Sequence, residues 1–166
     1  GGCPPGTINE TCWESDNPIE EALTRINEGR LPSNRLLYVE EGTYNGFSID
    51  GEANQLLSLL KGVIGVEGSQ TTTINGDITV SKTKAGFTLQ GFTIQSGGIS
   101  FSDNIGTLQI SDVVVKDSNK ANAIEVVSHA GAVLMDGVES SNNQYNGANI
   151  DNSIGKYPIT ITNSAF

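Results

Sequence analysis

The chain of 166 residues is long enough for one domain with a sizeable core, and nothing in it asks for a second. A formal charge of −10, a pI near 4.3 and no local cluster of Lys or Arg argue against a phosphate backbone or an anionic membrane as partner. No apolar run approaches the roughly 18 residues that span a bilayer, and the low share of charged residues (17%) beside abundant Gly, Ser, Thr and Asn suits short strands joined by turns.

The chain opens Gly1-Gly2 without Met and shows no signal peptide, as a trimmed or mature product would. Residues 1–16 form a turn-rich loop in which Cys3 and Cys12 bracket Pro4-Pro5-Gly6. A loop-closing disulfide and two free thiols both fit; the even count in a secreted-type composition favours the disulfide. Two cysteines and the distant His129 do not make a zinc set. Asn9-Glu10-Thr11 is a glycosylation sequon.

Residues 17–29 read as a helix. Asn17 is suited to the N-cap, Pro18 to the first helical position, and Glu20 and Glu21 to the positive end of the dipole. Ile19, Ala22, Leu23 and Ile26 make one apolar stripe, and Gly29 stops it. Ahead of a run of strands, such a stripe can cover the open first coil of a stack and block end-to-end strand pairing.

Leu36-Leu-Tyr-Val39 then reads as a buried strand, Glu41-Gly-Thr-Tyr44 as a turn and Phe47-Ser-Ile49 as another strand, ending at Asp50-Gly51. This helix, followed by Tyr38-Val39-x-x-Gly42-Thr43-Tyr44 and Phe47-x-Ile49, resembles the entrance of right-handed parallel β-helix proteins of the pectate-lyase-like superfamily. The resemblance extends from Asn17 over nearly the whole chain and implies an all-β solenoid with an N-terminal capping α-helix. It implies little about activity.

Between residues 56 and 80 the pattern is least regular. Leu56 to Leu60 and Val63 to Val66 are candidate strands, followed by Thr71 to Ile74 and Asp77 to Val80 around Asn75-Gly76. Asn-Gly is a strong hairpin signal, but the flanking segments recur later without it, which favours a solenoid corner.

From there the chain repeats. Phe87-Thr-Leu-Gln-Gly-Phe-Thr-Ile-Gln matches Thr107-Leu-Gln-Ile-Ser-Asp-Val-Val-Val-Lys on Leu89 and Ile110. Met135-Asp-Gly-Val138 and Ile161-Thr-Asn-Ser164 continue the frame, and Leu60-Lys-Gly-Val63 fits it upstream. The anchors step by 21 (89 to 110), 25 (110 to 135) and 26 (135 to 161) residues, and an interleaved series on Ile99, Ile124 and Ala148 steps by 25 and 24. Two series with nearly one period describe coils that stack because none can bury its apolar side alone. Leu89, Ile110, Met135 and Ile161 should form one interior column, Phe92, Val113 and Val138 a second, and Phe101, Val126 and Ile150 a third beside Ile99, Ile124 and Ala148. The step leaves two or three strands per turn open, and residues 36–166 are all assigned to coils.

With side chains filling the interior, a ligand must bind outside, on a wall or at protruding turns. The loops Ser140 to Gly147 and Lys116 to Lys120 supply the binding candidates Asn143, Tyr145 and Asp117. Asn143 and Asn119 fit either a buried amide ladder or a solvated turn, and Tyr145 either a sugar-stacking ring or local packing. Asp112, Asp117, Asp136, Glu139 and Asp151 are acidic candidates for catalysis, with Lys116 or Lys120 as a base, but they form no recognisable constellation. The Gly-His-Gly of polygalacturonase-like enzymes is absent, since His129 lies in Ser-His-Ala-Gly, and reads as a turn or surface residue. No cofactor is expected; calcium on Asp/Asn turns stays open, although no Gly-Gly-x-Gly-x-Asp repeat appears.

Three function classes follow. The first is a non-catalytic secreted or cell-surface module, of adhesin or carbohydrate-binding type, whose partner is a polysaccharide or cell-surface glycan. The second is the N-terminal part of a polysaccharide lyase or glycoside hydrolase acting on acidic glycans. The third, an ice-binding solenoid, is disfavoured because Thr71, Thr73, Thr160 and Thr162 do not recur at equivalent positions. The end, Ile159-Thr-Ile-Thr-Asn-Ser-Ala-Phe166, has no polar capping segment, so a fragment, or self-association through the last coil, is expected.

Overall fold

The computed structural model describes residues 15–151 and 154–166. The expected Cys3–Cys12 disulfide and the Asn9 sequon lie outside the described residues. Among the described residues one helix, α1 (Pro18–Asn27), precedes eleven strands: β1 (Leu36–Val39), β2 (Gly42–Asp50), β3 (Gly62–Gly65), β4 (Thr72–Ser81), β5 (Phe87–Gln95), β6 (Ile99–Ser102), β7 (Leu108–Lys116), β8 (Asn122–Val127), β9 (Val133–Ser141), β10 (Asn146–Ile150) and β11 (Ile159–Thr162). Every strand pairing is parallel, and each strand pairs with its equivalent one turn away, so the chain is a parallel β-helix of about five turns.

Each turn has three walls. The first is built by β1, β3, the leading halves of β5, β7 and β9, and β11. The second is built by the leading halves of β2 and β4 and the trailing halves of β5, β7 and β9; the third by the trailing halves of β2 and β4 with β6, β8 and β10. The long strands bend without breaking because a left-handed residue stands at the corner: Gly91 (φ 80), Asp112 (φ 47) and Gly137 (φ 64) between the first and second walls. At the other two corners the strands end, each at a left-handed residue: Ser96, Asp117 and Asn142 between the second and third walls, and Lys82, Asp103 and Ser128 between the third and the next first wall. Asp and Asn tolerate this conformation because their short polar side chains bond locally.

The anticipated columns are present. Leu89, Ile110, Met135 and Ile161 are direct parallel partners, as are Phe92, Val113 and Val138. On the third wall Phe47, Ile78, Ile99, Ile124 and Ala148 stack in one row, and Ile49, Val80, Phe101, Val126 and Ile150 in the next. Phe92, Phe101, Leu89 and Ile110 are fully buried, so side chains fill the middle rungs. The α1 stripe, Ile19, Leu23 and Ile26, joins the same core at the first coil.

Four local expectations are corrected. Val63, not Leu60, pairs with Leu89, so the upstream repeat is Val63-Ile-Gly-Val66 and the leucines before it form a turn and a single 3-10 turn, Leu57–Leu59, rather than a strand. Gly42 to Tyr44 is strand, paired with Thr72 to Ile74, rather than turn. In β1 only Val39 is fully buried, and Tyr38 is 63% exposed. Asn17 occupies the N-cap position but makes no capping bond; its Oδ1 accepts from Nδ2 of Asn45 at 2.6 Å, which ties the helix start to β2. Asn75-Gly76 is a corner inside β4, as the repeat argued.

Candidate functional site

The three corners differ in how they vary. Between the third and first walls the three middle connections are each five residues, 82–86, 103–107 and 128–132, while those from β2 to β3 and from β10 to β11 are longer. Between the second and third walls the connection grows from residue 46 alone to 76–77 and 96–98 and is longest in the last two rungs, at 117–121 and 142–145. The last two rungs therefore carry a projecting edge, and Asp117, Asn143 and Tyr145 all belong to it.

Their roles there differ. Asn143 is built into the edge: its Oδ1 accepts from the backbone N–H of Ser118 (2.9 Å), and its Nδ2 donates to Oγ of Ser140 (2.8 Å). Its amide therefore holds one rung to the next and is not free for a ligand. No ladder with the exposed Asn119 forms; the partner is backbone, and Asn104 makes the equivalent bond to Thr83 N–H at another corner. Asp117 is exposed, and its Oδ2 accepts from Nε2 of Gln95 one rung below (2.6 Å). Tyr145 is 61% exposed, so the ring is presented rather than packed.

Beside Tyr145 runs a relay of polar side chains. Asn146 Nδ2 donates to Asn122 Oδ1 (3.1 Å), and Asn122 Nδ2 donates to Glu125 Oε1 (2.9 Å). One rung earlier Gly98 has no side chain, and Lys120 crosses that space to bring Nζ within 2.8 Å of Asp77 Oδ2. Burial pushes the Asp77 carboxyl up, but the Lys120 ammonium and the donated Gly98 N–H outweigh it and hold the group below its ordinary value.

The third wall carries a feature that no motif announced. Ser48, Thr79 and Ser100 stack in one outward row that continues into Glu125 and Asn149, and Asp50, Ser81 and Ser102 stack in the next. The hydroxyls of Ser48, Thr79, Ser81, Ser100 and Ser102 have no hydrogen-bond partner among the described residues, whereas those of Ser69, Thr83, Thr93, Ser118 and Ser140 are all engaged. The signal was in the sequence, in Thr79-Val-Ser81 and Ser100-Phe-Ser102, where an inward residue is flanked by hydroxyls. On the second wall Thr73 does stack, between Thr43 and Thr93, although Thr160 and Thr162 face Leu134 and Asp136.

The acidic candidates are not gathered. Asp112 at a first-wall corner accepts from Ser69, and Asp136 on the first wall accepts from Thr162 and Asn163, whose donors hold its carboxyl below the ordinary value. Glu139 lies on the second wall, and Asp151 follows β10 at the end of the third. Among the described residues no three His, Cys, Asp or Glu side chains are placed to share a metal ion, calcium included. Among the described residues no helix is long and apolar enough to cross a membrane. His129, expected at a turn or on the surface, is at a corner but only 1% exposed. No protein-family model, curated protein or solved structure matches the chain.

Proposed function

We propose that this chain is a non-catalytic, secreted or cell-surface β-helix module that binds a polysaccharide or cell-surface glycan, as an adhesin or carbohydrate-binding unit would. The observation that carries the reading is the row of unpartnered hydroxyls on the third wall, with the exposed Tyr145 two rungs further along the axis. Sugar hydroxyls both donate and accept, so a wall of Ser and Thr matches them rung by rung, each bond contributing about 0.5–1.5 kcal/mol net. An aromatic ring adds the apolar face on which a sugar stacks. The wall offers no cationic row, and the chain's charge of −10 disfavours an acidic glycan, so an extended uncharged polysaccharide is the ligand class that fits. The secreted or cell-surface location goes with that reading.

The test is a glycan array followed by titration calorimetry with neutral and acidic polysaccharides, on the wild type, Tyr145→Ala and the pair Thr79→Val with Ser100→Ala. Binding of a neutral chain that weakens at least about tenfold in the variants, equal to 1.4 kcal/mol, supports the proposal; no binding, or binding untouched by the variants, removes it. Incubation with polygalacturonate and alginate, with and without calcium, tests the second reading, the N-terminal part of a lyase or hydrolase. Unsaturated or shortened product would establish it in place of the first.

Self-association belongs to the same proposal. Ile159 and Ile161 continue the interior columns of Val133 and Met135, yet they are 44% and 45% exposed. A further layer from a second copy would bury them. Concentration-dependent mass in light scattering, abolished by Ile159→Lys with Ile161→Lys, is the expected result, and a strictly monomeric species refutes it.

A further inference from the structure

The corner between the third and first walls recurs three times at one length, and the residue after its left-handed first position points inward each time: Thr83, Asn104 and His129. The lower two are satisfied. Thr83 donates its backbone N–H and its hydroxyl to Asn104 Oδ1, each at 2.9 Å, and Asn104 Nδ2 donates to the carbonyl of Val80 at 3.0 Å. Neither Thr nor Asn can ionise. At the third position stands the only histidine of the chain, 1% exposed, with neither ring nitrogen in hydrogen-bond geometry to any described group.

This corner also holds the final coil. Val126, just before it, accepts from the backbone N–H of Asp151 (2.7 Å), and Val133, just after it, donates to the carbonyl of Pro158 (3.0 Å). The end of β10 and the entry to β11 are thus fastened on either side of residues 128–132. Apolar burial holds them weakly, since Ala148 and Ile150 are only partly buried and Ile159 and Ile161 are exposed. Such an element opens at lower cost than the core rungs.

We propose that His129 is an acid-sensitive latch: when the ring takes up a proton, corner 128–132 loosens and β10 and β11 part from the rung below while the earlier coils stay closed. The physical reason is that burial removes a charged imidazolium from bulk solvent while no carboxylate is paired with it. Burial pushes the ring's pKa down, and the nearby backbone of Gly106 and Ala132 only partly offsets this. The charged residues on the surrounding elements are Lys82, Lys84 and Asp103 on the lower corners, Glu125 on β8, and Asp151 and Lys156 between β10 and β11; the shift of the ring comes from burial and backbone, not from any of them. The stabilisation is therefore present above the ordinary histidine value of 6.5 and is lost as pH falls below it towards the ring's own lower value.

Because the histidine is unique, its ring can be titrated directly by NMR, and amide exchange can be mapped at pH 7.5 and 5.5 after correction for intrinsic rates. The expected result is a ring that titrates below 6.5 and amides in β10 and β11 that exchange faster at pH 5.5, by about tenfold for each pH unit the depressed ring spans. Amides in β5 and β7 keep their protection. His129→Asn, which places at this position the residue that serves the corner below, removes the difference between the two pH values. A ring titrating at or above 6.5, wild-type protection that ignores pH, or a His129→Asn protein that still loosens at pH 5.5 would each overturn the latch. If His129→Asn does not fold, the ring titration and the wild-type exchange map decide.

Discussion

Ser69 gives both its backbone N–H (3.0 Å) and its hydroxyl (2.6 Å) to the carboxylate of Asp112, 43 residues later in the chain and two rungs further along the axis. The carbonyl of Ser69 in turn accepts from the Thr93 hydroxyl at 2.7 Å, on the rung between. Loop 66–71 is thereby folded back across the corner between the first and second walls. Asp112→Gly keeps the left-handed backbone and removes only the carboxylate. It should cost about 1–3 kcal/mol, the range for a charge-assisted bond lost at a partly buried site. Urea unfolding measures the cost, and limited proteolysis should newly cut within 66–71.

That fold-back passes the rung of Gly91. A Cβ there would lie 2.2 Å from the carbonyl oxygen of Gly65, on a residue whose φ is 80°. Gly91→Ala should therefore combine about 1–2 kcal/mol of left-handed strain with about 1–3 kcal/mol of overpacking. Gly137 is the matched control, because its φ is 64° but the nearest atom to a Cβ is 3.8 Å away. Gly137→Ala should show the strain alone, and equal losses for the two variants would refute the close-approach account.

The Leu89 column is unequal along its length. Leu89 is fully buried between Val63 and Ile110, whereas Ile161 at the far end is 45% exposed. Leu89→Ala should cost about 2–5 kcal/mol. Ile161→Ala should cost well under half of that in the isolated chain, as thermal melts of both variants would show.

Acid acts on the Asp77–Lys120 pair. The Asp77 carboxyl is held below its ordinary value of 3.8, so its stabilisation is fully present above that value and is lost as pH falls through the lower folded value. Both partners are nearly half exposed, which limits the pair to under about 1 kcal/mol. Lys120→Met should lower stability at pH 7 by that small amount, and the two proteins should converge at pH 2 in acid titrations of unfolding. A difference that persists at pH 2 would assign the effect to packing of the Lys120 stem over Gly98 instead.

Much of the architecture was legible before any coordinates. The i, i+3, i+4, i+7 stripe of Ile19, Ala22, Leu23 and Ile26 identified the helix and its buried face, and the recurrence of Leu89, Ile110, Met135 and Ile161 identified the interior column. The frame failed upstream, where Leu60-Lys-Gly imitates Val63-Ile-Gly and the insertion 66–71 hides the period. A three-residue slip looks harmless in a string, but in the coil Leu60 belongs to the buried connection ahead of β3 rather than to the strand. The site was less legible still. Asp117, Asn143 and Tyr145 were found as loop residues, yet only coordinates separate Asn143, spent on Ser118 and Ser140, from Tyr145, which is presented to solvent.

Sequence alone determined the winding, because apolar residues recurring once per turn can be buried only by stacking turn upon turn, and that follows from composition and spacing without knowledge of distance. Tertiary structure alone decided that the turn has three walls, that His129 lies inside its corner, and that the hydroxyls of Thr79, Ser81, Ser100 and Ser102 line one outer face unpartnered. These are properties of parallel register, which brings together residues some two dozen positions apart and so has no signature in any short stretch of chain.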